Sequence, residues 1–229
     1  IMAGCSALES LGPGDYAAML ASDDTLRSQA AKTNISLLNK RHNMKTVSKG
    51  STYYKILNDL ESANTFELDF RIHYINSSTV NALYIGDGHI VLYKGLLDRL
   101  NTKEQVAAVI AHEMAHGTND HIVNDIRSNV GKKVTNEILS EAGVDSIARN
   151  VGMYFLENGF SRSQEKEADI TSLHILHNAG YDPYAAVEVM KVLNGLEGSV
   201  DAKLLELFQT HPLPSTRIDY LSEEIRKKY

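Results

Sequence analysis

The stretch that most restricts the fold of this chain is an apolar helix with three polar side chains set into it. Asn101-Thr102-Lys103-Glu104-Gln105 reads as a helix start, with Thr102 able to cap and Gln105 placed to complete a capping box. Val106, Ala107, Val109, Ile110 and Met114 then bury most of the helix surface, and Gly117 reads as its stop. Within this run stands His112-Glu113-Met114-Ala115-His116. Four helical residues turn about 400°, so His112 and His116 project about 40° apart on one face, one turn removed. Glu113 is rotated about 100° from His112, beside that face rather than on it. Three buried polar side chains are costly unless satisfied. A metal held by both imidazoles satisfies them better than a mutual cluster would, and leaves Glu113 free to act as a base on water.

A catalytic metal of this kind usually takes a third protein ligand and keeps one position for water. Two sources compete. The same helix continues through Gly117-Thr118-Asn119-Asp120-His121, but a metzincin pattern wants Gly at 119 and His at 122, where Asn119 and Ile122 stand. The second source is Ser161-Arg162-Ser163-Gln164-Glu165-Lys166-Glu167-Ala168-Asp169. Ser161 can cap a helix on which Glu165 and Asp169 share a face at i, i+4. Glu167 is the competing carboxylate, about 200° around that helix from Glu165, so both cannot face one ion. His174 lies nearly opposite Glu165, and His42, His73, His89 and His177 read as ordinary surface or core histidines.

The rest of the chain divides by periodicity. Residues 6–50 look helical and polar, with a breaker at Gly12-Pro13-Gly14 and a boundary near Lys49-Gly50. Ser51–Leu60 reads as a further helix, and Phe66–Ile75 alternates as a half-buried strand. Val80–Ile85 and Ile90–Tyr93 are strands joined by the hairpin chemistry of Gly86-Asp87-Gly88-His89. Helices follow from Leu96. Strands segregated from helices predict an α+β fold with a small, mainly antiparallel sheet.

Taken together, His112–His121 and Ser161–Asp169 resemble the zinc metallopeptidases of the HtpX and CAAX-prenyl-protease type, a gluzincin-like family, and within it the soluble lipoprotein and periplasmic branch. Asn81-Ala82 before the Gly-x-Gly turn, Val91–Leu97, Ala179-Gly180-Tyr181-Asp182-Pro183 and Thr210-His211-Pro212 ahead of Ser215-Thr216-Arg217-Ile218 agree with it. The resemblance spans roughly residues 50–225. It implies a mostly helical zincin-like peptidase domain over 51–229, preceded by an N-terminal lipobox remnant and helical segment over 1–50. It also implies one Zn2+ per chain on His112, His116 and Glu165, with Glu113 catalytic and Asp169 orienting a ligand imidazole. His211 would be a fourth ligand or latch, and a substrate strand would lie along Asn81 and Ala82. Arg162 and Arg217 are expected to bond structural carboxylates, the tetrahedral intermediate being the alternative partner.

Composition restricts the partners. Lys plus Arg number 23 against 29 Asp plus Glu, a net charge of −6 that argues against nucleic acid. A single cysteine excludes an internal disulfide framework. No apolar run is long enough to cross a membrane. Ile1-Met2-Ala3-Gly4-Cys5-Ser6 resembles the end of a bacterial lipoprotein signal peptide, in which Cys5 would carry the lipid; Ser6 would direct the protein to the outer membrane, facing the periplasm. The expected activity is endopeptidase cleavage of misfolded or unassembled envelope proteins, with outer-membrane proteins or their assembly machinery as partners. The alternative is a largely latent, chaperone-like or scaffold metalloprotein.

Overall fold

The structure is a computed structural model that describes residues 21–133, 159–195, 210–211 and 216–229, except the side chains of 129–133 and 216. Cys5 and the Gly12–Gly14 breaker lie outside the described residues. The elements run α1 (Asp23–Arg41), β1 (Lys45–Thr46), α2 (Thr52–Ser62), β2 (Arg71–Ile75), β3 (Ala82–Tyr84), β4 (His89–Tyr93), α3 (Lys94–Leu97), α4 (Lys103–Thr118), α5 (His121–Lys133), α6 (Arg162–Asn178), α7 (Tyr184–Asn194) and α8 (Thr216–Lys228).

The sheet order is β1-β2-β4-β3. β1–β2 and β3–β4 pair antiparallel, while β2 and β4 pair parallel, so the sheet is mixed with antiparallel pairs predominating. Ile90 and Leu92 of β4 join one apolar cluster with α2, α4 and α6, whereas Val91 and Tyr93 join a second cluster with Leu38 of α1. Both faces are covered, which is why β4 reads as a continuous apolar run rather than an alternating one. β3 forms one edge of the sheet, where Ala82 O meets His211 Nε2.

The strand read over Phe66–Ile75 forms only from Arg71 onward. Ahead of it the Phe70 N–H donates to Glu61 Oε1 at 2.9 Å, and the Phe66 and Phe70 rings meet edge-on at 5.3 Å. A side chain, not a neighbouring strand, satisfies that backbone. β1 forms inside the stretch read as helical, a two-residue edge pairing too short to leave a periodic signal.

Thr102 caps α4 as its sequence suggests, accepting from Gln105 N at 3.2 Å. Gln105 Oε1 reaches past the cap residue to Asn101 N, at 2.7 Å. Gly117 does not stop the helix, which ends one residue later at Thr118. A Cβ at 117 would lie 2.9 Å from the Tyr84 ring and 3.1 Å from that of Phe70. Glycine there lets α4 press against the sheet. α6 starts with a full capping box, Ser161 and Gln164 exchanging side-chain-to-backbone bonds.

Candidate metal centre

α4 and α6 pack side by side, and their facing polar groups converge. His112 Nε2 and His116 Nε2 lie 3.2 Å apart. Glu165 reaches between them, its Oε2 3.5 Å from His112 Nε2 and its Oε1 3.4 Å from His116 Nε2. His211 brings Nδ1 to 2.9 Å from Glu165 Oε1. Ligand atoms of these four residues all fall within 4.8 Å of one another. Burial works against charge on Glu165, yet His211, His112 and His116 outweigh it and hold the carboxyl well below the usual carboxylate range. Burial likewise disfavours a His112 cation, but Asp169 and Glu165 push its pKa up to about 10. Imidazole nitrogens facing one another over a carboxylate are a donor set suited to a zinc-like divalent cation.

The backs of the two imidazoles are held differently. His112 Nδ1 lies 3.2 Å from Asp169 Oδ1. Asp169 in turn accepts from Arg217 Nε at 2.8 Å and Nη2 at 2.7 Å, and from the Tyr220 hydroxyl. Arg217 Nη1 also lies 2.9 Å from Glu165 Oε2, so one guanidinium offsets both buried carboxylates. His116 Nδ1 meets His121 Nδ1 at 2.8 Å, and Phe160 stacks on the His116 ring at 3.8 Å. His121 therefore touches the ring edge remote from Glu165, which rules out the metzincin arrangement. Glu167 points outward, its side chain 62% exposed, and contacts His121 Nε2 at 3.3 Å. Arg162 is exposed, while His174 bonds Tyr229 at the surface.

Glu113 sits beside the cluster, and its Oε2 has no hydrogen-bond partner among the described residues. Burial, with Glu165 beside it, raises its carboxyl above the usual carboxylate range against the opposing pull of His211, His112 and the Tyr84 backbone N–H. The edge strand is engaged throughout this stretch. Ala82 N donates to Asn81 Oδ1 at 3.0 Å, and Ala82 O accepts from His211 Nε2 at 3.2 Å. Thr210 Oγ1 donates to Asn81 Oδ1 at 3.2 Å. A small cavity of about 40 Å3 adjoins Glu113 and His112 and is walled by Leu96, Val109, Val189, Met190 and Leu193.

The roles of His121, Tyr220 and Phe160 were not read from the sequence. A signal existed for Tyr220, three residues from Arg217 on one helix face. None existed for Phe160, which lies outside any described helix or strand.

Comparison with known proteins gives a consistent set of likenesses. A model of peptidase family M48 matches residues 54–225. The mitochondrial metalloendopeptidase OMA1 of Arabidopsis thaliana is 28% identical over 204 residues, which are 89% of this chain and 40% of that protein. The beta-barrel assembly-enhancing protease of Escherichia coli (strain K12) is 25% identical over 172 residues, 68% of this chain and 34% of that one. The chain thus spans well under half the length of these two relatives. The crystal structure of Ste24p from S. mikatae shares the fold, with a TM-score of 0.50 and 20% identity over 87% of this chain and 55% of that chain.

Proposed function

This chain belongs to peptidase family M48, and from that premise we propose that it is a zinc-dependent endopeptidase. The convergence of His112, His116, Glu165 and His211 beside a buried Glu113 carries the reading. His112, His116 and Glu165 would hold the metal. Zinc supplies Lewis acidity, polarising the scissile carbonyl and lowering the pKa of water toward about 7. Glu113 takes the proton of the attacking water on its unpartnered oxygen and delivers it to the leaving amine as the C–N bond breaks. Asp169 and Arg217 keep the His112 ring oriented and its Nε2 lone pair forward.

An extended substrate laid along β3 would hydrogen-bond the groups now engaged by Asn81 and His211. Misfolded or unassembled envelope proteins fit this sequence-tolerant mode, and likeness to a beta-barrel assembly-enhancing protease points the same way. No helix among the described residues is long and apolar enough to cross a membrane. An acyl chain on Cys5 would tether the domain to the outer membrane on the periplasmic side. Labelled palmitate should enter the wild type and not Cys5→Ser.

The test pairs wild type with Glu113→Gln, both assayed for zinc and for cleavage of casein and a denatured outer-membrane protein. The expected result is equal zinc and a rate lower by about 10²–10⁴ in the variant, the usual share of a general base. Zinc-loaded wild type that cleaves neither substrate overturns the reading.

One observation favours a second reading, a largely latent scaffold. His211 spans Glu165 and the Ala82 carbonyl, so it stands among the residues that would hold the metal and across the strand edge. His211→Ala raises turnover if that imidazole is a latch, and lowers it if the imidazole supports the developing oxyanion.

A further inference from the structure

We propose that His121 is a positioning residue for His116, and that Glu167 anchors it from the surface. Together they fix which His116 ring nitrogen carries the proton. This rests on the metal centre proposed above.

The joint between α4 and α5 builds the contact. Asp120 adopts a left-handed conformation, φ 53°, and turns the chain back over the last turn of α4. Arg27 grips Asp120 through Nε and Nη2, each at 2.8 Å, and Asn119 donates to Thr171 at 3.1 Å. His121 is thereby buried, 1% exposed, with Nδ1 against His116 Nδ1.

Two imidazole nitrogens 2.8 Å apart make one bond, with one donor and one acceptor. Both rings are buried, and burial favours the uncharged imidazole. An ionised carboxylate only accepts, so Glu167 places the His121 proton on Nε2. His121 Nδ1 is then a lone pair, and His116 must donate from Nδ1. That leaves the His116 Nε2 lone pair facing Glu165 and His112. Behind His112 the carboxylate of Asp169 meets Nδ1 directly, in one step.

The longer route behind His116 has a physical reason. Phe160 stacks on that ring, and Arg217 already serves two carboxylates. A third buried carboxylate there would stand without a cation. A neutral imidazole instead carries the polarity outward to Glu167, where water solvates the charge.

Zinc affinity by chelator competition and the imidazole 15N spectrum test this, with thermal melts of the zinc-free proteins as a check on folding. His121→Gln keeps a carbonyl acceptor and should bind zinc within about threefold of wild type. His121→Phe keeps the ring and loses the acceptor, and should bind 10–100-fold more weakly, the usual effect of losing such a support. Glu167→Ala should fall between them. A packing role predicts the reverse order, with Phe mild and Gln severe, and that order overturns the proposal. The wild-type spectrum should place the His116 proton on Nδ1; a proton on Nε2 overturns it without any variant. Wild type that binds no zinc sinks the metal centre, and the zinc-free spectrum still decides the tautomer.

Discussion

Asp169 is engaged on both of its oxygens, accepting from His112, from Arg217 twice and from Tyr220. Asp169→Asn removes the charge that offsets Arg217 and turns an amide toward its N–H groups. Breaking a buried pair in this way costs roughly 3–5 kcal/mol. Zinc affinity should fall 10–100-fold, read by chelator competition, and the urea midpoint should drop. A second residue-scale prediction concerns His73, whose Nε2 lies 2.7 Å from His89 Nδ1 in the sheet. Burial, then His89 and Arg71, push its pKa down to about 4 from the ordinary 6.5. Between those values the unfolded chain binds more protons than the fold, so stability falls as pH drops from about 6.5 to 4. The loss is of order 2 kcal/mol, each pKa unit being worth about 1.4. Urea melts at pH 7 and 4.5 should show it in wild type and less of it in His73→Gln. The pair His112/His116 was legible because helical spacing alone fixes it, and so was the shared face of Glu165 and Asp169. His121 was not. Its direction depends on a single left-handed residue, Asp120, and no periodicity announces such a turn.

At the scale of elements, α6 carries both Glu165 and Asp169, so its start sets the geometry of the centre. Ser161→Ala should cost about 1 kcal/mol by unmaking the cap, measured as a shift in urea midpoint. Gly159 just before it has φ 64°, and a Cβ there would lie 1.9 Å from the Thr210 carbonyl oxygen. Gly159→Ala should loosen residues 210–211 from Phe160, read as faster amide exchange of the Phe160 N–H that now bonds Thr210 O. The start of α4 could be read from Thr102 because a cap is a local bond. The end could not, because Gly117 answers to Tyr84 and Phe70, which are distant in sequence. The upstream half of the expected strand failed for a similar reason: apolar alternation over 66–70 is met by ring packing and by Glu61, not by a partner strand.

For the whole molecule, metal and fold should be coupled, since the ligands come from α4, α6 and residue 211. An unfolded chain has no such convergence. Zinc at 100 times its dissociation constant should add about 2.7 kcal/mol. For a domain of this size that raises the melting temperature by roughly 5–10 °C, and a chelator should reverse it. The α+β architecture was legible from the segregation of strands and helices. The parallel pairing of β2 with β4 was not, because both neighbours of β4 satisfy the same apolar pattern. Arg217 has a consequence in time as well as in space. It belongs to α8, so the ribosome delivers Glu165 and Asp169 well before the cation that neutralises them. A nascent chain halted short of that arginine would have to gather the proposed zinc ligands without the guanidinium that bonds both Glu165 and Asp169. Assembly of the proposed centre therefore waits on α8, and a chain cut before Arg217 should bind zinc more weakly than the whole one.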